Sequence, residues 1–138
     1  DGGVYDNLGV NPLLRPRNAL DYALVSDGGK PFEIDRRPTD KGLLVLREAI
    51  SILMEQVRGL QLKRLELSEK LEEGPKAVWF SIDSKVGEQA PGDAVRASAV
   101  GTNLQKLSVA KLGVLTRHAA ALLRHRVETY APELRRAT

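Results

Sequence analysis

The chain has 138 residues, of which 42% are hydrophobic and only 4% are aromatic. This length supports one hydrophobic core and is too short for two ordinary domains. The net charge of +3 permits attraction to anionic lipid headgroups but does not indicate it. No apolar run approaches the roughly 18 to 20 residues of a transmembrane helix, and the lack of cysteine excludes disulfides and thiolate metal sites.

The chain opens with a carboxylate on an unusually accessible backbone. Asp1 is followed by Gly2 and Gly3. Because glycine has no Cβ atom, another loop or a substrate can approach the carboxylate closely. We therefore expect Asp1 to be well placed to act as a base.

Turn and capping signals follow within the same twelve residues. Asp6 and Asn7 offer side-chain oxygens for local turns. Asn11 is followed by Pro12, a pair that predicts a helix N-cap with proline at the first helical position. The sequence thus predicts a loop whose far end is fixed at the start of a helix.

Taken as a string, D-G-G-V-Y-D-N-L-G-V-N-P resembles the second catalytic motif of the patatin-like phospholipases, whose Asp pairs with a Ser in a two-residue dyad. The resemblance implies that Asp1 is the dyad Asp. It also implies that Gly2 and Gly3 shape the approach to it, and that Asn7 helps to hold the active-site loop. No metal or cofactor is expected.

The family's G-x-S-x-G nucleophile elbow and Gly-rich oxyanion loop both lie upstream of this motif, and neither occurs in this sequence. We therefore expect residues 1–138 to be the C-terminal part of a single patatin-like phospholipase domain and to be inactive alone. The implied fold is a three-layer α/β/α arrangement, with mainly parallel strands and helical crossovers. The implied partners are the N-terminal part of the same chain and a lipid or phospholipid acyl ester. We expect no nucleic acid and a cytoplasmic location, with peripheral membrane contact left open.

The first predicted strand covers Ala19–Ser26 and ends in a second Asp-Gly-Gly, which begins at Asp27. This copy lacks the D-N and N-P that follow the first one. We interpret Asp27 as part of an ordinary turn at a strand exit.

A long helix is predicted from Thr39 or Asp40 to Glu73, because its apolar residues recur at intervals of three and four. Its length of some thirty residues is compatible with a coiled coil. Its apolar surface is wider than a two-position seam, however, as expected of a helix that covers a sheet. We favour packing on a sheet, with the charged later part of the helix projecting into solvent.

The next predicted strand is Lys76–Asp83, and its Trp79 is expected to be buried. The polar stretch from Ser84 to Ala97 is typical of a loop, which in an acyl hydrolase is one candidate border of the substrate mouth. A last helical region opens at Thr102, and Ser108 is expected to cap its second segment, Val109–Tyr130. The T-x-L-x-x-L-S pattern before this segment is also similar to the C-terminal end of bacterial patatin-like proteins.

His118 and His125 are seven residues apart on this helix, and we interpret them as surface histidines because no cysteine or carboxylate cluster accompanies them. The arginines of the same helix are interpreted as a solvated face. An alternative to the enzyme stays open: a non-catalytic, helix-rich α/β interaction module in which Asp-Gly-Gly is only a turn.

Overall fold

The structure is a computed structural model that describes residues 3–29, 41–101 and 106–137. The chain divides into two compact units. The first spans Asp1–Ala23 and Phe32–Ala77, and the second spans Leu24–Pro31 and Val78–Thr138. The division passes through both strands of the sheet, so each unit contains part of each strand.

Among the described residues, the first unit contains three α-helices and one 3-10 helix. The short helices α1 (Gly3–Asp6) and α2 (Val10–Leu13) are followed by a 3-10 helix, Pro16–Asn18. Helix α3 (Gly42–Lys70) packs mainly against α1 and α2. Its buried residues, Gln61 and Leu65, are four positions apart and therefore lie on one face.

Helix α3 ends where the backbone leaves the right-handed conformation. Leu71 caps its C-terminus, and Glu72 adopts a positive φ of 56°. Gly74 and Pro75 follow, and proline cannot continue a helix. The prediction of a long helix is therefore confirmed, and its predicted end at Glu73 is close to the observed end at Lys70. The predicted start, Thr39 or Asp40, lies outside the described residues.

The sheet consists of two parallel strands, β1 (Tyr22–Asp27) and β2 (Lys76–Ser81). Backbone hydrogen bonds from Lys76 N to the Asp21 oxygen and from Ile82 N to the Asp27 oxygen, each 2.9 Å, bracket the ladder at its two ends. Burial alternates along β1, with Ala23, Val25 and Asp27 buried and the side chains between them more exposed. This alternation is typical of a strand with one covered face.

Trp79 of β2 is only partly buried, so the expectation of a buried tryptophan was too strong. Its neighbours Val78 and Phe80 are buried instead. Because successive side chains of a strand point to opposite faces, Trp79 lies on the face opposite to both of them.

The second unit contains α4 (Asp93–Ser98), α5 (Val109–Tyr130) and a terminal 3-10 helix, Pro132–Ala137. Helices α4 and α5 pack against each other, and their buried residues include Ala94, Ala97 and Leu122. The bounds predicted for α5 are confirmed, and Ser108 accepts a hydrogen bond from Lys111 N at 3.3 Å, as expected of its cap. The prediction of a loop throughout 84–97 was wrong, because α4 begins at Asp93.

The structure confirms a mixed α/β class with parallel strands. A three-layer α/β/α arrangement is not seen among the described residues. The outward positions of β1 illustrate this, since Leu24 is 51% exposed. In a three-layer fold a second layer of helices would cover such a position.

Candidate active site

The predicted base and its first neighbour, Asp1 and Gly2, lie outside the described residues. Gly3 begins α1, so the chain enters a helix at the second glycine of the motif. Asn7 follows α1 and is exposed. The described part of the site is therefore the segment that leads away from the predicted base.

The Asp6 carboxylate holds this segment together. Its Oδ1 accepts a hydrogen bond from Val10 N and its Oδ2 accepts one from Asn11 N, each at 2.9 Å. These two amides belong to the first turn of α2, where backbone N–H groups have no partner within the helix. A negative charge at this end of a helix is favourable as well. The Asp6 side chain therefore connects the end of α1 to the start of α2.

This arrangement corrects the predicted start of α2. Asn11 is not the N-cap, because the helix already begins at Val10. The N-cap is Gly9, whose φ of 65° lies in the left-handed region that glycine adopts without strain. Pro12 stays within the first turn, where its missing N–H costs no helical hydrogen bond.

Both ends of the loop are also attached to α3. The Gln61 side chain donates from Nε2 to the backbone carbonyl oxygen of Tyr5 at 3.3 Å. The Arg64 guanidinium donates to Asn11 Oδ1 at 2.6 Å. Val10 is fully buried in the same unit. The residues that follow the Asp-Gly-Gly motif are thus held by polar contacts at Tyr5 and Asn11 and by the buried side chain of Val10 between them.

An open cleft of about 310 Å³ lies in the same unit, between the end of α2 and the turn after α3. Its lining combines apolar residues, mainly leucine and proline, with one cation and three carboxylates. These charged residues are Arg15, Asp21, Glu72 and Glu73. Among the described residues, no serine or histidine lines it. The described lining therefore provides no hydroxyl nucleophile.

The second Asp-Gly-Gly behaves as a turn. Asp27 is 3% exposed at the end of β1, and its Oδ1 accepts a hydrogen bond from Gly29 N at 3.1 Å. This is the local bond that an Asp side chain makes in an Asx turn. The geometry agrees with the interpretation of Asp27 as a strand-exit residue.

The second unit contains a buried carboxylate that sequence reasoning missed. Asp93 is fully buried at the start of α4. Its two oxygens accept from Nε and Nη2 of Arg117 at 2.9 and 2.8 Å, and Oδ1 also accepts from Arg96 at 2.8 Å. These arginines, Arg117 first, hold the pKa of the Asp93 carboxyl well below its usual range, although burial opposes them. The contact also raises the pKa of Arg117.

The interpretation of both helix histidines as surface residues was wrong for His118, which is 1% exposed. Its Nε2 lies 2.8 Å from the Ile82 oxygen, to which it donates, and its Nδ1 is buried without a hydrogen-bond partner. His125 is partly buried, next to Gly87. Among the described residues no group of three His, Asp or Glu side chains could hold a metal ion.

The arginines of α5 are not simply a solvated face. Arg117 pairs with Asp93, and Arg126 contacts Tyr130 through both a 3.3 Å hydrogen bond and a position 5.5 Å from the ring centre. Just beyond the helix, Arg135 pairs with Glu128 at 2.8 Å. The carboxylates of Asp93 and Glu128 lower the positive charge that is free to attract a polyanion.

Comparisons with protein-family models, with curated proteins and with solved structures find no match to this chain. The resemblance to the patatin-like phospholipases therefore depends on the sequence itself, mainly on residues 1–12 and to a lesser extent on residues 102–108. None of the helices that the structure describes is both long and apolar enough to cross a bilayer.

Proposed function

We propose that this chain supplies the Asp base of a Ser–Asp dyad in a lipid acyl hydrolase of the patatin-like phospholipase type, with Asp1 as the base. The observation that carries the proposal is the string D-G-G-V-Y-D-N-L-G-V-N-P at residues 1–12. The Ser nucleophile and the oxyanion donors would come from a polypeptide segment outside these residues. The substrate is a lipid or phospholipid acyl ester in the cytoplasm or at a membrane surface.

The geometry of the first unit supports the proposal. A general base works only when it is held within hydrogen-bond reach of the proton that it takes. The segment directly after the motif is held by the two hydrogen bonds to Asp6 and by the contacts of α3 with Tyr5 and Asn11. A loop attached in this way suits a residue that must keep its position during turnover.

In the proposed reaction the Asp1 carboxylate takes the proton of the Ser hydroxyl as its oxygen attacks the acyl carbonyl. Donors from the other segment stabilise the oxyanion that forms. The protonated Asp1 then returns its proton to the leaving alcohol, and an acyl-enzyme remains. In the second half, Asp1 takes a proton from water as the water oxygen attacks the acyl carbonyl. Asp1 then returns that proton to the Ser oxygen, so the fatty acid is released and both residues regain their starting states.

The interaction module remains a second candidate because α3 exposes many of its apolar residues, including Leu53 and Leu60. The two functions differ in what precedes Asp1 in the intact polypeptide. The proposed enzyme requires a G-x-S-x-G sequence after a predicted strand and before a helix, as well as a Gly-rich loop. An intact polypeptide without them would exclude the dyad and leave the module.

Assays of the purified chain provide a second test. We expect no hydrolysis of a short-chain nitrophenyl ester, because a base without a nucleophile and an oxyanion site cannot form an acyl-enzyme. The intact enzyme should hydrolyse the same ester and should be labelled on Ser by a fluorophosphonate probe. Hydrolysis by the chain alone that disappears in Asp1→Asn would contradict the assignment of the nucleophile to another segment.

A further inference from the structure

Helix α3 carries a regular heptad pattern of apolar residues. The two buried residues of the helix, Gln61 and Leu65, are not part of this pattern. Leucine recurs every seven residues at four positions, Leu46, Leu53, Leu60 and Leu67. The residue three positions before each of the first three leucines is apolar as well, at Leu43, Ile50 and Val57. This spacing of three and four is the a and d pattern of a coiled coil, with leucine at every d position.

The structure leaves this face open. We define the seam as the set of a and d residues from Leu43 to Leu60, and all of its members except the partly buried Val57 are between 41% and 80% exposed. The residues that pack α3 against α1 and α2, Gln61 and Leu65, belong to the e and b positions. Within the part of the chain that the structure describes, the helix thus has one face that packs in its own unit and a second apolar face that is exposed.

We propose that the seam of α3 pairs with the same seam of a second copy of this chain, in a parallel two-stranded coiled coil. Two of the three a residues of the seam, Ile50 and Val57, are β-branched, the first is Leu43, and every d residue is leucine. β-Branched a residues with leucine at d favour two parallel strands. The pattern is self-complementary, because each layer of a parallel pair contains the same residue from both copies. The pairing does not depend on the proposed catalytic role of Asp1.

The residues beside the seam agree with this occupant. A parallel pair brings each g residue next to the e residue five positions later in the partner, which pairs Gly42 with Arg47 and Ala49 with Met54. Gln61 occupies the next e position but is buried and bonded to the Tyr5 carbonyl oxygen within its own unit, so it takes no part in the pairing. No pair brings like charges together. Further along, Arg64 occupies the next a position, but its guanidinium donates to Asn11 Oδ1 and ends the apolar stretch.

The same residues do not favour a lipid surface as the occupant. Helices that lie on membranes carry lysine and arginine on their polar face. Over residues 42–60 the charged residues are Arg47, Glu48, Glu55 and Arg58, so two basic and two acidic side chains cancel. This stretch offers no net attraction to anionic headgroups, and the leucine repeat gives a second helix a better match.

Sedimentation equilibrium of the purified chain over a range of concentrations tests the proposal. We expect a monomer–dimer equilibrium, and we expect Leu53→Lys to raise the dissociation constant by on the order of 100-fold, because it places two like charges in one layer. The matched control is Ile52→Lys, since Ile52 is adjacent and 46% exposed but lies outside the seam. It should leave the dissociation constant unchanged.

Disulfide trapping tests the parallel register independently, because the chain has no cysteine of its own. Leu60→Cys should form an inter-chain disulfide under mild oxidation, since parallel d residues meet across the seam. Gly59→Cys should not, although a Cβ at Gly59 meets nothing within 4 Å and the substitution is tolerated. A chain that is monomeric throughout, or equal trapping of both variants, would overturn the proposal. So would a monomer that binds neutral phosphatidylcholine vesicles and loses that binding in Leu53→Lys.

Discussion

The carboxylate of Asp6 is predicted to be the main local support of the loop that follows Asp1. Replacing it by alanine removes the acceptors of two backbone amides, those of Val10 and Asn11. Val10 is fully buried, so its amide is left without a partner at a cost of about 1 to 3 kcal/mol. Asn11 is partly exposed, and water can replace its lost acceptor at little cost. We therefore expect Asp6→Ala to destabilise the first turn of α2 by about 2 kcal/mol.

Amide hydrogen exchange measured by NMR gives this prediction a residue-specific assay. A loss of about 2 kcal/mol corresponds to roughly 30-fold faster exchange at the Val10 and Asn11 amides, since 1.4 kcal/mol is a factor of ten. Asp6→Asn keeps one acceptor oxygen, so about half of that free-energy change is expected. The control is Asn7→Ala, an exposed neighbour whose loss should stay within about 0.5 kcal/mol. Unchanged exchange in Asp6→Ala, or an equal effect of Asn7→Ala, would refute the reasoning.

Two further predictions concern the second unit. Gly87 and Gly92 both have a positive φ, so alanine at either site should cost about 1 to 2 kcal/mol in unfolding free energy. At Gly87 the added Cβ would also lie 2.6 Å from the Cβ of His125. In urea titrations the loss of unfolding free energy should therefore be larger for Gly87→Ala than for Gly92→Ala by about 1 kcal/mol or more. Equal losses would contradict the packing of Gly87 against His125. For Asp93, the folded-state pKa is depressed, so its stabilising contribution is complete above the unfolded pKa of about 3.9 and is lost as the pH falls below it. The melting temperature should therefore fall as the pH is lowered below about 4. Asp93→Asn should lower the melting temperature at pH 7 and flatten that fall. A pH dependence unchanged in the variant would count against the ion pair.

Local signals were the part of the fold that could be predicted from sequence. The serine at 108 and the apolar period after it determined α5, and Gly74-Pro75 marked the region where α3 stops. The strands were also found, because short β-branched and aromatic runs between turn residues have few other interpretations. The start of α2 was misjudged by two residues because its amides are capped by Asp6, four residues before the helix.

The contacts that depend on distant residues could not be predicted. Helix α4 has only six residues, and its buried Asp93 is neutralised by Arg117, which is 24 positions away. His118 gave a usable signal, since it is three residues after Leu115 and four before Leu122 and so shares their helical face. Leu112 and Ala119 lie three residues before Leu115 and Leu122, yet both are exposed in the structure, so the apolar period alone does not identify the buried face.

The central claim, that Asp1 is the base of a Ser–Asp dyad, is tested most directly by measuring turnover and melting temperature together in the intact enzyme. Asp1→Asn keeps the size of the side chain but cannot accept the Ser proton, so kcat should fall by on the order of 10² to 10⁴ with the fold retained. Asp27→Asn is the control, because that side chain serves a turn and asparagine serves turns about as well. We expect Asp1→Asn to be folded and inactive and Asp27→Asn to be folded and active. A folded, active Asp1→Asn beside a folded, inactive Asp27→Asn would contradict the assignment of Asp1 as the base.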